Sequence, residues 1–178
     1  MYPTYSIAMV SLIAVGLATF IVFLHYEVLN LLARVLSHLA WVGRPRIAIL
    51  FGTLLIVHIV EIWIFACGYR FAEWHGGLGQ IKGQHEQAFL DYVYYSSVTF
   101  TTVGYGDLVP VGPIRFVAAM EALSGLMLIT WSASFIYLEM ARFWREKNEH
   151  LARLDQAENF NHNIFAGQNG RFEVHIRV

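Results

Sequence analysis

The residues with the clearest chemistry stand in one run, Thr101-Thr102-Val103-Gly104-Tyr105-Gly106-Asp107. What this run offers is backbone oxygen. Gly104 and Gly106 lack a Cβ and reach φ values closed to other residues, so successive carbonyls are able to face one side of an extended strand. A row of such oxygens, with the Thr102 hydroxyl at one end, suits a cation that must leave its water behind. Val103 and Tyr105 then point away from the oxygens and are expected to brace the strand against the helix that precedes it. A lone Gly-x-Gly reads as a surface turn, so the setting of the run decides between the two readings.

That setting is a membrane. The chain is 57% hydrophobic and only 14% charged, a balance that separates it from ordinary soluble domains. Its formal net charge is -1 and no basic run stands out, which leaves nothing to recommend nucleic acid as a partner. Cys67 is the single cysteine, so an internal disulfide and a Cys-based metal cluster are both excluded. Crossing roughly 30 Å of hydrocarbon takes about 20 apolar residues. Three segments qualify: 5–26, with no Lys, Arg, Asp or Glu; 47–69, with only His58 and Glu61; and 114–138, with only Arg115 and Glu121.

Between the second and third spans lies 88–100, long enough for a helix of about 20 Å but too short to cross. It must re-enter the membrane and turn back, and the glycine-bearing run follows directly. Irregular backbone at that depth is tolerated only inside protein or beside water, because each unsatisfied carbonyl in lipid costs several kcal/mol. Dehydrated cations satisfy such carbonyls when copies of the strand surround an axis, and one chain supplies only one strand. A closed, rotationally symmetric assembly follows.

The first span is preceded by no Lys or Arg and is long for a signal peptide, so a retained helix is expected. Beyond it, Leu29, Leu32, Val35, Leu36 and Leu39 recur at helical spacing among Asn30, Arg34, Ser37 and His38, the pattern of a separate surface or linker helix over 28–42. Gly43-Arg44-Pro45-Arg46 should break it. Arg34, Arg44 and Arg46 place this connection in the cytoplasm, the amino terminus outside, and the tail with Arg142, Arg145, Lys147 and Arg153 inside.

From 47 to about 144 the chain resembles the two-transmembrane pore-loop potassium channels, especially their short prokaryotic members. The match rests on Thr102-Val103-Gly104-Tyr105-Gly106, the string of a potassium filter. The resemblance implies an all-α membrane protein with three transmembrane helices, a re-entrant pore helix and an extended selectivity filter, assembled as a homotetramer in lipid. It implies K+ as the permeant ion, held at Thr102, Val103, Gly104 and Tyr105, with no cofactor, in a plasma membrane of the bacterial inner-membrane type. Thr101 and Asp107 would support the filter, Asp107 closing its outer end, and Tyr94-Tyr95 match the aromatic pair packed around it. Gly125 falls at the family's candidate gating hinge. Two departures stand out: Val98 replaces a glutamate that some bacterial members bond to the outer aspartate, and the amino-terminal span lies outside the two-helix pattern.

The expected organisation is an amino-terminal helix with interfacial linker over 1–46, a pore domain over 47–140 and a short cytoplasmic tail over 141–178. Within the pore domain the outer helix takes 47–69, the extracellular loop 70–87, the pore helix 88–100, the filter 101–107 and the inner helix 113–140. Residues 159–170 read as a loop and 171–178 alternate as a strand does. The tail is too short for an identifiable soluble regulatory domain.

Glu61 and Glu121 are buried carboxyls by position, at similar depth and outward of mid-span, where Ser96, Ser97 and Thr99 offer hydroxyls. Either is a candidate to bond the back of the pore helix and make conduction pH-sensitive; a purely structural carboxyl is the alternative. His58-x-x-Glu61 has metal-ligand spacing but too few ligands. No order of Ser, His and Asp resembles a hydrolase motif, so an enzyme is not expected. Two other functions stay open beside a passive potassium channel: a less selective cation channel, against which Tyr105 argues, and a non-conducting partner subunit.

Overall fold

Long apolar runs without interior proline become long helices, because lipid offers a backbone N–H no partner but the carbonyl four residues back. The computed structural model describes residues 3–38, 44–83 and 88–173. Its elements are α1 (Thr4–His38), α2 (Arg44–His75), β1 (Gln80–Gly83), α3 (Phe89–Phe100), β2 (Leu108–Val111) and α4 (Arg115–Glu173). Three helices are long and apolar enough to cross a membrane, over Thr4–Leu36, Ile47–His75 and Arg115–Phe160. Pro45 lies in the first turn of α2, where a missing N–H costs nothing.

Two compact units divide at Ile136 and Tyr137. In the first, a core gathers Phe65 and Tyr69 of α2, Tyr92, Tyr95 and Phe100 of α3, Ile114 just before α4, and Val117 and Leu128 of α4, with Val10, Ala14 and Ile21 of α1 against them. In the second unit α4 continues alone, with Arg142 Nη1 donating to Glu139 Oε1 at 2.8 Å.

Three expectations need correction. No separate surface helix begins at Val28: α1 runs unbroken to His38, because Leu29, Leu32 and Leu36 find partners in Leu50 and Leu54 of α2. Loop 70–87 is partly regular, since α2 continues to His75 and β1 pairs antiparallel with β2, Gln80 opposite Val111 and Gly83 opposite Leu108. Residues 159–173 are helical rather than loop and strand, while 174–178, Leu39 and Gly43 lie outside the described residues. Asn and Gly content is a weak turn signal on a helix already nucleated upstream.

The continuity of α1 is testable. Leu32→Ala, at a site 7% exposed, should lower the stability of the purified chain by about 2–5 kcal/mol. Leu31→Ala, at a site 54% exposed, should cost less than about 0.5 kcal/mol. Equal effects in thermal melts would contradict the packing of this stretch on α2.

Candidate ion pathway

α3 begins where the Asp91 carboxylate accepts the Ala88 N–H at 3.0 Å, an acidic group placed at the positive end of the helix. It ends at Thr101, whose hydroxyl donates to Ser97 O at 2.7 Å and whose N–H donates to the same oxygen at 3.1 Å. Beyond it the sign of φ alternates residue by residue: Thr102 at 61°, Gly104 at 55° and Gly106 at 82° are positive, while Val103 and Tyr105 are not. Alternation of this kind turns successive amides to one side of the strand and successive carbonyls to the other. The amides face α3, since Thr102 N–H donates to Thr99 O and Gly104 N–H to Val98 O, both at 3.0 Å. Among the described residues, none donates a backbone hydrogen bond to the carbonyls of Thr102 through Gly106. Thr102 is β-branched and strained at positive φ, so these bonds hold it there.

Val103 and Tyr105 do not brace this strand against its own helix as expected. They are 54% and 72% exposed, and what ties the strand to α3 is the backbone bonding of Thr102 and Gly104. Tyr94 donates its hydroxyl to Asp107 Oδ2 at 2.8 Å and so fills the bracing role that Val98 leaves empty. Tyr95 is buried, edge-on to Tyr69 with ring centroids 5.0 Å apart. Sequence reasoning passed over Glu73. Its carboxylate accepts the Tyr92 hydroxyl at 2.6 Å and the Ile81 N–H, tying α2 to α3 and to β1, whose partner strand β2 leaves the loop.

Behind α3, Glu121 is fully buried, accepts a hydrogen bond from Tyr69 and is hydrogen-bonded to Ser96. Ser96 also lies 2.8 Å from Ile62 O, and a hydroxyl carries only one hydrogen. Both contacts are satisfied together when Glu121 supplies a proton of its own. Gly125 sits where α4 crosses the end of α3, and a Cβ there would lie 2.2 Å from Phe100 O.

This geometry has counterparts. A family model described as ion channel matches residues 52–141, half of the chain. The chain belongs to this ion channel family. It is 38% identical over 66 residues to the inward rectifier potassium channel Kirbac3.1 of Paramagnetospirillum magnetotacticum, covering 36% of this chain and 21% of that protein. It is 39% identical over 56 residues to two-pore potassium channel 4 of Arabidopsis thaliana, 32% of this chain and 18% of that protein. With the potassium voltage-gated channel protein shk-1 of Caenorhabditis elegans it shares 30% identity over 102 residues, 55% of this chain and 18% of that protein. The chain thus spans about a fifth of the length of these curated relatives. No solved structure matches it.

The two carboxyls of this channel part company. Glu121 bonds the back of α3, as one expectation had it, but Glu61 does not reach α3. Glu61 instead joins His25 of α1 and His58 of its own helix, each Nδ1 being 2.9 Å from a carboxylate oxygen. Ser132 of α4 lies 3.2 Å from His25 Nε2 and 3.1 Å from His58 Nε2. His25 and Ser132 gave no signal in the sequence, since a lone His or Ser in an apolar helix has many structural uses; a polar residue in each of three spans was the available hint.

The close approach at Gly125 predicts opposite outcomes for two glycines. Gly125→Ala must displace the Phe100 carbonyl and should destabilise the folded channel, whereas Gly52→Ala meets nothing within 4 Å and should gain up to about 1 kcal/mol from helix propensity. Melting of the two purified variants compares them directly, and a Gly125→Ala channel as stable as wild type would remove the packing role.

Proposed function

We propose that this chain is the pore-forming subunit of a potassium-selective channel, working as a homotetramer, with Thr102, Val103, Gly104, Tyr105 and Gly106 as its filter. The observation that carries the reading is the alternating φ of 102–106, with the Thr102 and Gly104 amides tied to α3 and carbonyls that receive no backbone hydrogen bond among the described residues. Four such strands about an axis replace the water of a K+ ion with carbonyl oxygens at Thr102, Val103, Gly104 and Tyr105, and ions in adjacent sites displace one another. The carboxyl end of α3 is directed at the start of the filter, and its partial negative charge favours a cation there. Exposed Val103, Tyr105 and Tyr94 have the size and position to pack on neighbouring copies.

In this reading the amino terminus lies outside, the 38–44 connection and the segment after 141 face the cytoplasm, and the membrane is a plasma membrane of the bacterial type. Thr101 and Asp107 support the two ends of the filter, and Tyr94 and Tyr95 support its flank. Gly125 is the candidate bend of α4 in gating as well as its contact with Phe100. Glu121, bonded to Ser96 behind the filter, is the carboxyl through which pH modulates current.

Reversal potentials test the proposal, with purified channel in a bilayer, K+ on one side and Na+ on the other. Wild type should reverse close to the K+ equilibrium potential. Gly104→Ala should lose that selectivity: its Cβ would meet nothing within 4 Å, but φ of 55° costs a residue with a Cβ about 1–2 kcal/mol. Equal permeability of the two ions in wild type would contradict the selective reading and leave the family assignment intact.

A further inference from the structure

We propose that His25, His58, Glu61 and Ser132 form a binding site for a single proton, which closes a four-membered ring of hydrogen bonds and fastens α1 to α2 and α4. The ring runs Glu61 to His25 Nδ1 (2.9 Å), His25 Nε2 to Ser132 Oγ (3.2 Å), Ser132 Oγ to His58 Nε2 (3.1 Å), and His58 Nδ1 back to Glu61 (2.9 Å). Four hydrogen bonds need four hydrogens. A carboxylate supplies none, each neutral imidazole supplies one and a hydroxyl supplies one, which makes three. One more proton closes the ring, whether it resides on an imidazole or on the carboxyl.

The charge count agrees with the bond count. With the extra proton the four groups sum to zero; without it they carry -1, and one bond has two acceptors facing each other. His25 and Glu61 are fully buried, Ser132 is 5% exposed and His58 16%, so a net charge there is poorly solvated. The remaining neighbours are apolar or aromatic: Trp131 of α4 lies 5.7 Å from His25, and Phe100 of α3 lies 5.8 Å from His58. Glu121 and Tyr69 bond each other and Ser96, not the ring. A divalent cation fits less well. His25, His58 and Glu61 bring three donor atoms within 4.8 Å of one another, but Ser132 bonds the far edge of both imidazoles, and a dication would leave the buried site at +1.

The ring gives α1 a task. The family match covers 52–141 and leaves α1 outside it, yet His25 of α1 closes the ring with groups from both longer helices of the matched region. Loss of the proton opens the ring and weakens the hold of α1 on the pore helices. The device does not depend on which ion the channel passes.

Glu61→Gln separates the proton from the geometry. An amide donates one hydrogen and accepts one, so it closes the same ring with neutral imidazoles and no added proton. Equilibrium unfolding of the full chain in mixed micelles should be followed between pH 7 and 9, for wild type, Glu61→Gln and Glu61→Ala. A folded state that binds one proton more than the unfolded state loses stability as pH rises, and the unfolding constant changes tenfold per pH unit. The ratio of the wild-type constant to that of Glu61→Gln should therefore rise tenfold per unit. Glu61→Ala leaves the two bonds through Ser132, which the hydroxyl and neutral imidazoles satisfy with no charge to neutralise, so the ratio of wild type to Glu61→Ala should rise with the same slope and serves if the amide variant does not fold. A pH-independent ratio overturns the proposal. Stabilisation of wild type by stoichiometric Zn2+, with loss of the pH slope, overturns it in favour of a metal site.

Discussion

A backbone carbonyl without a hydrogen-bond partner at membrane depth costs several kcal/mol, and the carbonyls of 102–106 form a row that receives no backbone hydrogen bond among the described residues. Everything around the row holds it in place. The amides of Thr102 and Gly104 are used up on the last carbonyls of α3, so the strand cannot relax by rolling its oxygens inward. Tyr94 fixes Asp107 beyond the last glycine, and the β1–β2 ribbon fixes the chain as it leaves. The oxygens are thereby held on the side of the strand away from α3.

Positioning passes outward from α3 in layers. Glu73 at the carboxyl end of α2 and Glu121 in α4 each hold α3 by a carboxyl group, one through Tyr92 and the other through Ser96. At the carboxyl end of α3 the approach of α4 is set by the missing side chain of Gly125. Shape and hydrogen bonding therefore act on different faces of the same short helix. Beyond this shell, α1 adds an apolar seam to Leu50 and Leu54 and one polar ring through His25.

The sequence made the long apolar helices, the short helix between the last two and the glycine-bearing strand after it legible, because each depends on local properties: run length, hydropathy and the φ range of Gly104 and Gly106. α3 begins within a residue of its expected start. Where reading failed, tertiary contact was decisive. Leu29, Leu32 and Leu36 look like a surface stripe until Leu50 and Leu54 are placed beside them. Spacing put Glu61 and Glu121 at one depth, but only three-dimensional placement sends Glu121 to Ser96 and Glu61 to two histidines, one of them 36 residues away. Val103 and Tyr105 were expected against α3, yet both are exposed, a matter of tertiary placement that residue type and spacing do not encode.

The central claim is that the carbonyls of 102–106 are the coordination shell of a permeating monovalent cation. Anomalous diffraction or density from the purified assembly with Tl+ in place of K+ tests it most directly. The account predicts a line of ion peaks on a four-fold axis, at the height of Thr102 through Tyr105 and flanked by their carbonyl oxygens. An assembly whose axis lies away from this strand, or whose axis carries no ion peaks beside it, would contradict the account.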